Sequence, residues 1–192
     1  MAKPWTKRSS RVVGEFSVFR LRCDQMVSPR NGHELDAFIL ETRPWITILP
    51  TTPDGEVVLV RQYRFGIEAA TLETPGGLMD ASDASPEAAA RRELLEETGC
   101  EAEEMISLGV VRPNPAIQNT SCHIFWAKNV YGECAQTLDE GEDILIERLP
   151  LDAVPRMIHQ GVIQHSIVLN AFYLFDLYQI HNKGNSGDNA SL

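Results

Sequence analysis

The sequence predicts an α/β fold in which a mixed β-sheet is covered by helices on both faces and preceded by an N-terminal β-hairpin. Three observations predict it. Strand-like segments dominate the first half of the chain, one of them rich in β-branched residues, and helical segments alternate with strands later. A well-capped helix interrupts the strands near residue 85.

Residues 1–11 are polar and basic, and are expected as a flexible arm ahead of a single domain over 12–181. Apolar residues recur at short spacing through 12–40, on either side of Ser28-Pro29-Arg30-Asn31-Gly32, and the Asn-Gly pair predicts a hairpin or meander. Trp45 to Pro50 makes a further strand. After the Pro53-Asp54-Gly55 turn, residues 56–64 form a central strand with Val57, Val58 and Val60. Glu73-Thr74-Pro75-Gly76-Gly77 is a turn-forming stretch. A helix is then expected from Ser85-Pro86-Glu87, where serine caps, proline suits the first helical position and glutamate the first turn. Residues 88–98 are strong helix formers, and Gly99 is the stop. Strands follow near 107–112 and 122–128. The acidic loop 139–143 leads into the apolar run Ile144-Leu145-Ile146, then come a short helix near 151–160 and a longer one near 165–181. The Gly-, Ser- and Asn-rich residues 182–192 are expected as a disordered tail.

Composition narrows the function. Across 192 residues, 27 acidic and 17 basic side chains leave a net charge of −10. That balance opposes nucleic acid as the main ligand, because phosphate backbones demand concentrated Lys and Arg. It still suits a small polyanion if a divalent cation sits between the two. The four cysteines form no CxxC pair, so reduced thiols and a cytoplasmic location are expected. Residues 1–10 hold no apolar signal segment, and no run approaches the roughly 20 apolar residues of a membrane span. The histidines lack metal-ligand spacing.

The chemistry concentrates on the predicted helix. At about 100° per residue, Glu93, Glu96 and Glu97 share one face roughly 100° wide. Like charges at this spacing repel, and they sit near the helix C-terminus, where the macrodipole disfavours them. A Mg²⁺ or Mn²⁺ ion reverses that sign, since hard cations take oxygen ligands. Just upstream, Pro75-Gly76-Gly77 allows the backbone to approach a ligand closely.

The stretch from Gly77 to Cys100 resembles the Nudix box. Its second half carries Arg92, Glu93, Leu94, Glu96, Glu97 and Gly99, with Cys100 at the closing apolar position. The first half departs: counted forward from Gly77 the early acidic position falls on Asp83, and counted back from Arg92 it falls on Ala84. The resemblance implies a Nudix-type α/β/α sandwich. It also implies Glu93 and Glu97 as principal metal ligands, Glu96 assisting through a metal or its water, and the Gly76 carbonyl as a further ligand. Arg92 is then expected to hold the glutamates by charge-assisted hydrogen bonds.

The segment 57–64, followed by Leu72-Glu73-Thr74-Pro75-Gly76-Gly77, is similar to the ADP-ribose and nucleotide-sugar pyrophosphatase branch. That likeness implies a phosphate contact from Arg64, with Arg61 as second candidate. The acidic loop resembles the loop that brings a catalytic glutamate to the metals. Glu140 is the first choice for general base, and Glu142 for base or extra ligand. In residues 112–121 the chain departs from the ADP-ribose enzymes, which tend to carry a Gly-Phe-Ser-x-Glu-like sequence there. Its Asn114, Gln118 and Asn119 offer amide donors and acceptors to a base or sugar, which makes a GDP-mannose-like substrate an alternative to an ADP-ribose-like one.

The function expected is Mg²⁺-dependent hydrolysis of a nucleoside diphosphate sugar to a nucleoside monophosphate and a sugar phosphate. The resemblance also implies a homodimer through the N-terminal hairpin. Two alternatives stand beside this reading: a non-hydrolytic nucleotide-sensing regulator on the same scaffold, and a nucleoside triphosphate pyrophosphohydrolase.

Overall fold

The computed structural model describes residues 3–132 and 134–187. The chain forms two compact units, one taking the chain up to Pro44 together with Arg112–Ser121, the other Trp45–Val111 together with the chain from Cys122 onward. The N-terminal hairpin region, expected within a single domain over 12–181, lies in the first of these units.

That unit is a three-stranded antiparallel sheet in the order β1 (Thr6–Glu15), β2 (Arg20–Val27) and β3 (Glu34–Glu41). The expected arm is corrected here, because Thr6 to Arg11 belong to β1 and Thr6 pairs with Val27. Their polarity hid the strand: the side chains are exposed, and they are held by ion pairs instead of burial. Lys7 reaches Asp24 at 3.1 Å, and Arg8 reaches Glu34 at 2.7 Å. The loop Arg112–Ser121 docks on β3, with the Leu40 N–H donating to the Ile117 carbonyl and the Thr120 hydroxyl to the Arg43 carbonyl, both at 2.8 Å.

The second unit is built on six strands. β4 (Trp45–Thr51), β5 (Glu56–Arg64), β6 (Ala69–Glu73), β7 (Glu101–Val111) and β8 (Cys122–Tyr131) take the order β6-β5-β4-β8-β7, and β9 (Ile144–Pro150) pairs with β5. β4 and β8 are parallel and the other pairs antiparallel, so the sheet is mixed as expected. Alternate residues face opposite layers. Ile48 and Val58 pack with Ala89, Ala90 and Leu94 of α1 (Pro86–Thr98). Leu49, Val57 and Leu59 pack with Val154 of α2 (Val154–His159) and with Val168, Phe172 and Phe175 of α3 (Ser166–Gly187). Helices therefore cover both faces, giving the α/β/α sandwich.

β8 runs on to Tyr131, and two further elements exceed their expected limits by more. β7 starts at Glu101, because pairing with β8 carries the acidic start of the strand, with Glu101, Glu103 and Glu104. α3 continues to Gly187, so residues 182–187 are helical where a tail was expected; 188–192 lie outside the described residues. β6 was not foreseen, since Ala69 and Ala70 have little strand propensity and the five-residue strand owes its conformation to the β5 ladder. No helix among the described residues is long and apolar enough to cross a membrane.

Candidate active site

α1 forms as its ends dictate. The Ser85 hydroxyl accepts from the Ala88 N–H at 3.1 Å, and Gly99, at φ 67°, closes the helix by donating to the Leu95 carbonyl at 2.8 Å. Its buried stripe is Ala89, Ala90, Glu93, Leu94, Glu97 and Thr98. Two positions that stability alone would fill with apolar side chains therefore carry carboxylates, and an uncompensated buried charge costs stability. Glu96 lies at the edge of the stripe, with its side chain 39% exposed.

The turn after β6 is fixed against β4. The Ile46 N–H donates to the Gly77 carbonyl at 2.8 Å and the Ile48 N–H to the Pro75 carbonyl at 2.9 Å. The turn in turn faces α1, and the Gly76 N–H donates to Glu97 Oε2 at 2.9 Å. A Cβ at Gly77 would come within 2.6 Å of Glu93 Oε1, so glycine there leaves the space the Glu93 carboxylate occupies.

Arg92 ties the acidic groups together. Its Nε and Nη2 donate to the two Asp83 oxygens at 3.1 and 2.9 Å, and its Nη1 donates to Glu93 at 3.0 Å and Glu96 at 2.8 Å. Of the two positions left open by the irregular first half of the box, Asp83 is the one that engages Arg92. Spacing alone could not choose between them, because the loop contains one extra residue.

The electrostatics follow from burial. Burial pushes the Glu93 carboxyl up to about 7, against the Arg92 cation and with the Glu96 and Glu142 charges adding to the rise. Burial likewise pushes Glu97 up to about 8, opposed by the Gly76 N–H and Arg64 and reinforced by Glu93 and Glu142. Among the described residues, no three His, Cys, Asp or Glu side chains stand together as a ready metal cluster. Arg92 draws Glu93 and Glu96 to itself, while Gly76 holds Glu97. The oxygen-only donor set of Glu93, Glu96 and Glu97 nevertheless fits a hard divalent cation, which would offset the repulsion between the buried carboxylates.

The acidic loop is delivered by the segment 134–137, which crosses the C-terminal end of α1. Thr137 N–H donates to the Glu96 carbonyl at 2.9 Å, and Gln136 Nε2 donates to the carbonyls of Glu97 and Ile144. Glu142 then closes a turn with Asp139, and its charge acts on Glu93, Glu97 and Arg64. Glu140, the first choice for base, is not among the charges that act on these three groups. This turn geometry is invisible in a run of five residues with four acidic side chains.

Both strand arginines have carboxylate partners. Arg64 donates through Nε and Nη2 to Glu73 at 2.8 and 2.7 Å. The hydrogen bond to Glu73 raises its pKa, opposed by burial, with the charges of Glu73, Glu97 and Glu142 adding to the rise. Arg61 pairs with Glu147 of β9. Sequence reasoning missed Glu73 as the partner of Arg64, having read it as the start of a turn and as part of the Leu72–Gly77 resemblance. Among the amide residues, Asn114 caps a turn through its carbonyl, which accepts from the Gln118 N–H at 2.8 Å. Asn119 Nδ2 donates to Glu41 at 3.3 Å, and Gln118 Oε1 is buried without a hydrogen-bond partner among the described residues. All three belong to the N-terminal unit.

With this fold and carboxylate helix in view, residues 41–172 match the NUDIX domain, and the chain belongs to the Nudix family as a Nudix hydrolase. It is 29% identical over 182 residues to a methanol dehydrogenase activator of Bacillus methanolicus, spanning 93% of this chain and 97% of that protein. It is 27% identical to the ADP-ribose pyrophosphatase of Bacillus subtilis (67% of this chain, 69% of that one). With the GDP-mannose pyrophosphatase of Citrobacter koseri it shares 36% identity (56% of this chain, 60% of that one). The crystal structure of an ADP compounds hydrolase matches it with a TM-score of 0.82 at 23% identity, over 95% of this chain and 97% of that one. At that identity the likeness is one of fold.

Proposed function

We propose that the chain hydrolyses the pyrophosphate bond of a nucleoside diphosphate sugar, ADP-ribose-like or GDP-mannose-like, to a nucleoside monophosphate and a sugar phosphate. One observation carries the proposal: Glu93 and Glu97, one helical turn apart and buried, face the Gly76-Gly77 turn. Relatives named ADP-ribose and GDP-mannose pyrophosphatase support the substrate class.

In this reading Glu93 and Glu97, with Glu96 and the Gly76 carbonyl, hold Mg²⁺ or Mn²⁺. Such an ion, when bound, lowers the pKa of water and offsets phosphate charge. Arg92 orients Glu93 and Glu96 through Nη1 while Asp83 anchors its other edge. The Glu142 carboxylate takes the proton from the attacking water, and its charge coupling to Glu93 and Glu97 supports it over Glu140. Arg64 contacts a phosphate oxygen, with Arg61 further along the strand. Asn114, Gln118 and Asn119 are the proposed contacts to base or sugar. A homodimer through the N-terminal sheet fits the exposure of Val12, Phe16, Val18 and Phe38. A cytoplasmic location is proposed on the four unpaired thiols.

A second reading, a regulator of a partner enzyme, is favoured by the near full-length match to the Bacillus methanolicus activator. One assay separates the two. ADP-ribose, ADP-glucose, GDP-mannose, UDP-glucose and deoxynucleoside triphosphates are offered with Mg²⁺, and monophosphate release is followed. Turnover of a nucleotide sugar supports the enzyme. Binding without turnover of any compound supports the regulator.

A further inference from the structure

Arg64 is the last residue of β5 and shares a face with Val58, the face that α1 covers. Two and four ladder positions back on β6 lie Thr71, opposite Gln62, and Glu73, opposite Val60, both on this same face. The Glu73 side chain is only 2% exposed, although carboxylates are seldom buried so fully without a reason. It receives Nε and Nη2 of Arg64 in a fork at 2.8 and 2.7 Å, and the Thr71 hydroxyl donates to its Oε1. His165, ahead of α3, brings Nδ1 to 3.9 Å from its Oε2. Glu73 is therefore held by hydrogen bonds from Arg64 and Thr71, with His165 close by, whereas the Arg64 side chain remains 42% exposed.

The fork uses one edge of the guanidinium. Nη1 is left on the opposite edge, and the charges of Glu97 and Glu142 reach the same guanidinium. A flexible arginine at a strand end would lose rotamer freedom on meeting a phosphate; one already clamped along one edge would not.

The geometry points to Glu73 as a positioning residue for the reaction, one that holds Arg64 with Nη1 directed at the pyrophosphate and that touches no substrate itself. Thr71 is the brace that sets the Glu73 carboxylate. This rests on the function proposed above, in which Arg64 contacts phosphate.

The test compares the wild type with Glu73→Gln, Arg64→Ala and the double variant, each confirmed folded by its thermal unfolding midpoint. Two readouts are taken: steady-state kinetics on the nucleotide sugar the wild type cleaves, and calorimetric titration with inorganic pyrophosphate and Mg²⁺. Glu73→Gln is expected to raise KM about tenfold and to change kcat less than threefold, the pattern of an interaction made equally in ground and transition states. Pyrophosphate affinity is expected to fall by a similar factor. In the Arg64→Ala background the same change should have no further effect on either readout. Unchanged KM and pyrophosphate affinity in Glu73→Gln overturn the assignment, as do losses that simply multiply in the double variant. If the wild type cleaves no nucleotide sugar, the proposed function falls, while the pyrophosphate titration still decides the role of Glu73. If Glu73→Gln does not fold, Thr71→Val replaces it, with a weaker effect in the same direction expected and no effect overturning the assignment.

Discussion

The Gly76 N–H donates to the Glu97 carboxylate at 2.9 Å, joining the turn after β6 to the last turn of α1 across 21 residues of chain. Gly76 holds φ 151°, where L side chains are strained, and a Cβ there would overlap the Ile46 carbonyl oxygen and lie 2.9 Å from Thr47 Cα. Gly76→Ala is therefore expected to cost about 2–4 kcal/mol of stability, the scale of backbone strain combined with overpacking. Urea unfolding measures it. An unchanged midpoint would show that the turn is not held as described.

Glu142 and Glu140 lie two residues apart with unequal surroundings. Glu142 is coupled to Glu93 and Glu97, so Glu142→Gln is expected to lower kcat by roughly 10²–10³-fold, in the range for loss of a general base. Glu140→Gln should stay within about threefold of wild type, since Glu142 and not Glu140 is the loop charge that acts on Glu93 and Glu97. Parallel kinetics of the two variants decide the matter, and the reverse ranking would restore Glu140 as base.

Much of this was legible beforehand, for identifiable reasons. α1 announces itself through Ser85, Pro86 and Gly99, because caps are local chemistry. β5 shows in its valines, which the structure buries completely. β6 and the first half of β1 were not legible, because both depend on ladder partners distant in sequence. The site divides the same way. The spacing of Glu93, Glu96 and Glu97 is a helix property, visible in one dimension. The grips of Asp83 on Arg92 and of Glu73 on Arg64 are tertiary, as is the presentation of Glu142 by the strap through Gln136 and Thr137.

In the N-terminal unit, Asp24 is 3% exposed and meets the Ser10 hydroxyl at 2.6 Å, Lys7 at 3.1 Å and Arg22 at 3.0 Å. Burial pushes its carboxyl up, but Ser10, Lys7 and Arg22 outweigh it and hold the pKa below the ordinary 3.8. A depressed folded-state pKa contributes stability above the unfolded value that is lost as pH falls through the folded one. The contribution should thus persist down to about pH 4 and vanish below it. Melting midpoints from pH 2 to 7 are expected to fall more steeply below pH 4 for the wild type than for Asp24→Asn. Parallel curves would contradict the assignment.

The four thiols should react unequally. Cys23, Cys100 and Cys122 are buried, and burial alone pushes the Cys122 thiol up to about 12; Cys134 is exposed. A thiol reagent at pH 8 is expected to modify one cysteine per chain quickly in the folded protein, and all four in denaturant. Rapid modification of Cys122 in the folded protein would mean that the core around Ile124 and Ile167 opens more readily than its packing implies.

The central claim is that the buried carboxylates of α1 serve catalysis through a divalent cation. Glu97→Gln tests it most directly, since the amide keeps the size of the side chain and an acceptor for the Gly76 N–H but surrenders the charge. Turnover of a nucleotide sugar with Mg²⁺ should fall by at least about 10³-fold, with an unfolding midpoint close to that of the wild type. Near-normal turnover in this variant would contradict the account.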